Sequence, residues 1–313
     1  MSVKNPSPES TYHIDNDLRE VVQLALDLGM PLLVTGEPGT GKTRLARYVA
    51  EEMLGAKLLA FYTKTTSKAK DLLYHYDALS HFRDAQIDQV KRNPMEYVEF
   101  HAMGKAIVEA SQTRYVVLVD EIDKAPRDFP NDVLFEFEEM AFKVAEANIS
   151  AIQNWNKKQQ EYKDIQLDEQ GYFRTGKEAA NKPVLILTSN SEKNLPDAFL
   201  RRCVYHHINF PKKDTLQIIV EKNVSLTSGF SKSMLEAAVD HFLAIRQKPL
   251  RKKPATAELL AWVHVLKNHG LDVNEVIAGS DEALKNKLKR AYAILFKNND
   301  DLKWAEDLVK SRM

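Results

Sequence analysis

The sequence predicts an α/β fold, a parallel sheet with helices covering both faces, followed by a helical lid domain. Two observations carry this: short apolar runs, "PLLVT", "KLLAFY", "YVVLV" and "PVLILTS", alternate with segments of helical length, and beyond Pro211 such runs stop and only helical candidates follow. Length agrees, since 313 residues can bury the core of one large domain plus a smaller one.

Residues 1–14 are polar and contain Pro and Ser, and read as a flexible leader. From Leu18 to Leu28 the apolar residues Leu18, Val21, Val22, Ala25 and Leu26 recur at helical spacing, and Gly29 suits the left-handed position that ends a helix. Residues 31–35 read as a buried strand, 42–54 as a helix stopped by Gly55, and 57–62 as a strand. A long polar and aromatic stretch then precedes a helix near 102–111. "YVVLV", 115–119, is the clearest buried strand; a helix near 131–147 and the strand 183–189 follow. Residues 148–182 form a polar insertion whose Trp155, Tyr172 and Phe173 can anchor a hairpin or small helix, or touch a partner. Residues 203–210 read as one more buried strand, closing a domain that runs from 15 to 210. Helical candidates at 215–224, 232–246, 255–267, 283–296 and 302–310 make up the rest, 211–313.

Lys+Arg and Asp+Glu both number 44, so no net charge draws the whole chain toward nucleic acid or anionic lipid. The single cysteine, Cys203, excludes an intramolecular disulfide, and with nine scattered histidines it forms no metal-ligand spacing. No signal peptide or membrane-length apolar run is visible, so the cytoplasm is the expected compartment and no direct membrane insertion is expected.

"GEPGTGKT", 36–43, fits the phosphate-loop pattern between a strand and a helix. Gly36, Gly39 and Gly41 permit close backbone approach. Glu37, Pro38 and Thr40 complete the loop, whose amides form an anion cradle with the helix start at Lys42, Thr43 and Arg44. Lys42 can reach the β- and γ-phosphates, and the Thr43 hydroxyl can ligate Mg²⁺. "VVLVDEIDKA" delivers Asp120 and Glu121 at a strand end, where open α/β sheets bind ligands. Asp120 suits the magnesium shell, and Glu121 suits polarising a water toward the γ-phosphate. Asp123 and Lys124 fit a surface pair or an assembly contact. Asn190 closes "VLILTSN", where it can position the attacking water or simply form a turn.

The phosphate loop, "VLVDEID", "LILTSN" and "LPDAFLRR" together resemble the AAA+ ATPases, a class of P-loop NTPases, and especially their MoxR-like branch. The resemblance spans about residues 15–265 and is strongest up to about 210. It implies ATP and Mg²⁺ as cofactors and a homo-oligomeric ring, often hexameric, with a chaperone-like capacity to remodel a protein client. It also implies that Asn190 is the first nucleotide sensor. Arg202 is implied as an arginine finger serving a neighbouring subunit's ATP, with Arg201 as its competitor. At the lid, Ala257 stands where the family places a sensing arginine, and Arg251, Lys252 or Lys253 are the substitutes at hand.

The leading function is therefore ATP hydrolysis coupled to remodelling or assembly of a protein client. An ATP-gated regulatory module of a defence or signalling complex is the alternative. A DNA-associated motor is weaker, given balanced charge and no DNA-reading module, and single-strand binding through Lys64, Lys68 and Lys70 is weaker still. No NKxD guanine-reading motif or second-substrate site is present, which favours ATP over GTP and hydrolysis over a small-molecule kinase.

Overall fold

The computed structural model describes residues 11–87, 92–158, 166–175, 181–191, 195–225 and 230–310. Most of the expected leader, and residues 159–165 and 176–180 of the expected insertion, lie outside them. By contacts the chain divides into two compact units, one holding residues 15–35 and 42–207, the other residues 11–14, 36–41 and 208–310.

In the first unit, α1 (Asn16–Leu28) starts where the Asp15 carboxylate accepts the Leu18 N–H at 2.8 Å and ends at Gly29 with φ 63°. Next come β1 (Leu32–Gly36) and α2 (Lys42–Tyr48), which continues to Leu54 with wider, π-type turns. After β2 (Lys57–Tyr62), the polar and aromatic stretch is not irregular: it holds α3 (Ala69–Leu73), β3 (Tyr74–Tyr76), α4 (Ala78–Ile87) and β4 (Val98–Phe100), with β3 and β4 antiparallel. Then come α5 (Ala102–Val108) and β5 (Tyr115–Asp120).

The long helix expected near 131–147 is broken. α6 (Phe129–Asp132) and α7 (Leu134–Glu139) are short, Met140 takes a left-handed φ of 46°, and β6 (Ala141–Phe142) pairs with a later strand. Ladder pairing at 141–142 overrides helical continuation there. The insertion contains both expected forms, α8 (Ile149–Lys158) and a hairpin of β7 (Gln166–Leu167) and β8 (Phe173–Arg174). β9 (Val184–Ser189), α9 (Asp197–Leu200) and β10 (Val204–Ile208) complete the unit.

The main sheet is all-parallel, in the order β10-β1-β9-β5-β2. β5 and β9 are buried along almost their whole length. Val117, Val119, Leu185 and Leu187 join one core with Met103, Ala106 and Ile107 of α5, so the alternate residues Val116, Leu118 and Ile186, also buried, face the other side. β10 departs from expectation: it is an edge strand with one neighbour, and its residues alternate between half-buried and exposed.

The second unit is helical apart from the phosphate-loop segment. Its helices are α10 (Lys213–Asn223), α11 (Lys232–Arg246), α12 (Thr256–His269), α13 (Val273–Ala278), α14 (Glu282–Ala291) and α15 (Asn299–Lys310); α13 has no counterpart in the sequence reading. Phe242, Trp262, Leu266 and Tyr292 are fully buried in its separate apolar core. The phosphate loop joins this unit by packing: at Gly36, with φ 149°, a Cβ would stand 2.6 Å from the Ile208 carbonyl oxygen. At Gly39, with φ 78°, it would stand 2.7 Å from the Ala255 methyl. Side chains are excluded at both positions by space and by backbone angle.

Candidate functional site

β1, β9 and β5 are neighbours in a parallel sheet, so their C-terminal ends open on one edge. The residues just beyond those ends form one hydrogen-bonded group within the first unit. Lys42, the first residue of α2, donates from Nζ to Asn190 Oδ1 at 3.0 Å. Its neighbour Thr43 places its hydroxyl 3.0 and 3.2 Å from the two Asp120 carboxylate oxygens. Asn190 Nδ2 donates to Glu121 Oε1 at 3.3 Å, and the Asn190 backbone N–H reaches Asp123 Oδ1 at 3.3 Å. Lys42, Thr43, Asp120, Glu121 and Asn190, read from three separate segments, are thus brought together.

Thr188, which sequence reasoning passed over, organises the acidic pair. Its fully buried hydroxyl donates to Asp120 Oδ1 at 2.6 Å and accepts the Glu121 N–H at 2.9 Å. The available signal was a hydroxyl residue directly after the apolar "VLIL" run, two residues before Asn190. Glu121 has φ 55° and ψ 51°, left-handed for a non-glycine residue, which costs about 1–3 kcal/mol and is tolerated where the surroundings fix it. Lys124 forms an ion pair with Glu121 Oε2, so the loop pair expected of Asp123 and Lys124 joins Lys124 to Glu121 instead.

Electrostatics follow from this packing. Lys42 is buried, and desolvation lowers its pKa against the opposing charges of Asp123, Asp120 and Glu121. The Lys124 hydrogen bond, with help from Asn190, holds the Glu121 carboxyl below its ordinary range despite partial burial. Glu121 is therefore a carboxylate at neutral pH. No cluster of three or more His, Cys, Asp or Glu able to hold a metal occurs among the described residues. Thr43 and Asp120 nonetheless present a hydroxyl and a carboxylate within 3.2 Å of each other. That donor set fits Mg²⁺, which is commonly held by one or two carboxylates, phosphate oxygens and water.

In the phosphate loop itself, the Thr40 hydroxyl and N–H both donate to the Glu37 carbonyl, at 2.8 and 3.3 Å, closing a turn. Pro38 is exposed, as is Arg44, one residue into α2 from Thr43. Two contacts here had no signal in the sequence. The Tyr12 ring would lie 3.2 Å from a Cβ at Gly41, and the Arg246 guanidinium pairs with Glu37 at 2.8 Å. Of the lid residues offered as sensing substitutes, Arg251 pairs with Asp300 at 2.7 Å, its backbone and that of Lys252 donate to Asp301, and Lys253, like Ala257, is exposed.

Around the arginine pair, Leu195 and Phe199 are buried and anchor α9. Arg202 is half-exposed, donates to the Ala198 carbonyl at 2.8 Å and is ion-paired with Glu138 of α7; Arg201 is exposed. Burial pushes the Cys203 thiol up to about 12. In the insertion, Trp155 and Phe173 are buried against Phe100, at 6.0 and 5.7 Å between ring centres, so both anchor the fold. Tyr172 is half-buried beside Phe135, at 5.5 Å. Of the lysines considered for a nucleic-acid strand, Lys70 is paired with Glu146, while Lys64 and Lys68 are exposed.

Residues 32–212, more than half of the chain, match the sequence model of the ATPase family associated with various cellular activities (AAA). No curated protein matches the chain. No helix among the described residues is long and apolar enough to cross a membrane.

Proposed function

The chain belongs to the ATPase family associated with various cellular activities, an ATP-binding and ATP-hydrolysing family, and from that premise we propose that it is a ring-forming motor of MoxR-like type. In this reading it couples ATP turnover to remodelling or assembly of a protein client. The observation that carries the reading is the continuous hydrogen-bonded group at the ends of three adjacent strands: Lys42 to Asn190, Asn190 to Glu121, and Thr43 and Thr188 to Asp120. A buried cation, an ionised carboxylate and a carboxamide held together in this way support attack of water on a nucleotide's γ-phosphate.

Each side chain then has one task. Lys42 holds the β- and γ-phosphates, and its burial, which lowers its pKa, leaves its charge less screened than at the open surface. Asn190 holds Lys42 and Glu121 in register and orients the attacking water. Glu121 takes the proton of that water. Thr43 and Asp120 would hold Mg²⁺, which when bound neutralises charge on the β- and γ-oxygens. Arg202 from a neighbouring subunit supplies the remaining positive charge, after leaving Glu138; Arg201, adjacent and exposed, braces the same interface.

The test is ATP turnover and nucleotide binding in Lys42→Ala and Glu121→Gln. Lys42→Ala is expected to lose binding. Glu121→Gln is expected to retain binding and lose turnover by about 10²–10⁴-fold, the usual worth of a general base. Normal turnover in either variant would contradict these assignments.

A further inference from the structure

Arg246 is the last residue of α11 and one of few charged side chains buried among the described residues, at 9% side-chain exposure. Three contacts fix it. Nη2 lies 2.8 Å from Glu37 Oε2, Nη1 donates to the Pro254 carbonyl, and the guanidinium carbon sits 3.4 Å from the centre of the Phe210 ring. All four residues belong to the second unit. Pro254 precedes Ala255, the residue that caps α12 and whose methyl limits the space at Gly39. Arg246 thus ties the second residue of the phosphate loop to the turn that packs on the loop's middle.

Burying a guanidinium is costly unless its donors are met, and a pair with one buried partner is poor evidence for stability alone. Its placement suggests a different role. Glu37 puts a carboxylate inside a loop whose amides are to receive a polyanion, and an unopposed negative charge there weakens anion binding. Arg246 is a cation in contact with that carboxylate, and with one arm on Glu37 and the other on the Pro254 carbonyl it can fix the carboxylate's direction as well as offset its charge.

We propose that Arg246 is a positioning residue for ATP binding: by pairing with Glu37 it holds the phosphate loop in its cradle conformation and cancels a charge that would oppose the triphosphate. This rests on the nucleotide-site reading above. Arg246 does not itself touch the nucleotide in this account; it acts through Glu37 and the turn before α12.

The test is the affinity for a fluorescent ATP analogue in Arg246→Gln, Arg246→Lys, Glu37→Gln and the double variant Arg246→Gln/Glu37→Gln, with Lys42→Ala as control. Arg246→Gln is expected to weaken binding by about tenfold, and less at high salt, because the negative charge of Glu37 is then less offset within the loop. Glu37→Gln alone, which breaks the same pair but adds no uncompensated negative charge, is expected to weaken binding less than Arg246→Gln does, and adding it to Arg246→Gln is expected to recover part of the loss. A merely structural arginine would give no such recovery. Arg246→Lys keeps the charge and serves if the glutamine variant does not fold: it is expected to bind more weakly than wild type, with no gain from adding Glu37→Gln. Binding by a folded Arg246→Gln equal to wild type, or a double variant no tighter than Arg246→Gln, overturns the proposal. Affinity of the lysine variant equal to wild type, or raised by adding Glu37→Gln, overturns it as well. Unaltered binding by Lys42→Ala would overturn the nucleotide-site reading, and this inference with it.

Discussion

At the scale of single residues, Glu121 is governed by its neighbours. Its carboxyl is held below the ordinary carboxylate range chiefly by the Lys124 hydrogen bond. If Glu121 must be ionised to accept a proton, turnover fails as pH falls through its pKa. Lys124→Ala should therefore raise that pKa and move the acid limb of the kcat/KM profile to higher pH, a shift that a pH series on the two proteins measures directly. The stability linked to this depression has the same sign: it is present above the unfolded carboxyl's pKa and is lost as pH falls through the lower, folded value. Cys203 gives a second residue-scale expectation. With burial pushing its thiol up to about 12, it should alkylate far more slowly in the native protein than in denaturant near neutral pH, as a timed thiol assay would record.

At the scale of elements, the strand ends make the site. Thr188→Val keeps the shape of β9 but removes the hydroxyl that serves both Asp120 and the Glu121 N–H. Leaving buried groups without partners should cost about 1–3 kcal/mol in a denaturant titration, and turnover should fall with nucleotide binding largely kept. These elements differ in how far the sequence reveals them. β1, β5 and β9 were legible because a strand buried on both faces reads as an unbroken apolar run, and the residues following such runs are placed by topology. Lys42, Thr43, Asp120, Glu121 and Asn190 came with them. The break at Met140 was not legible, because it depends on pairing between residues 141–142 and 173–174, far apart in the chain. β10 was misjudged as buried because an edge position depends on strand order, which local pattern does not encode. Thr188 and Arg246 were missed because their importance lies in distant partners, Asp120 and Glu37 respectively.

At the scale of the whole molecule, the account requires more than one copy of the chain. The first unit by itself brings Lys42, Glu121 and Asn190 together. Yet the half-exposed Arg202 pairs with Glu138 of its own chain, an exposed pair worth about 0–1 kcal/mol and so readily exchanged for a phosphate. Specific activity should accordingly rise with protein concentration as assemblies form, in step with the mass measured by light scattering. The most direct measurement of the central claim, hydrolysis completed by a neighbour's arginine, is ATP turnover in mixtures of Arg202→Ala and Glu121→Gln with assembly mass recorded in parallel. The account predicts that each variant alone assembles and is nearly inactive, and that mixing restores turnover at sites pairing an intact Glu121 with an intact Arg202. Full turnover by Arg202→Ala alone, or by a strictly monomeric wild type, would contradict it.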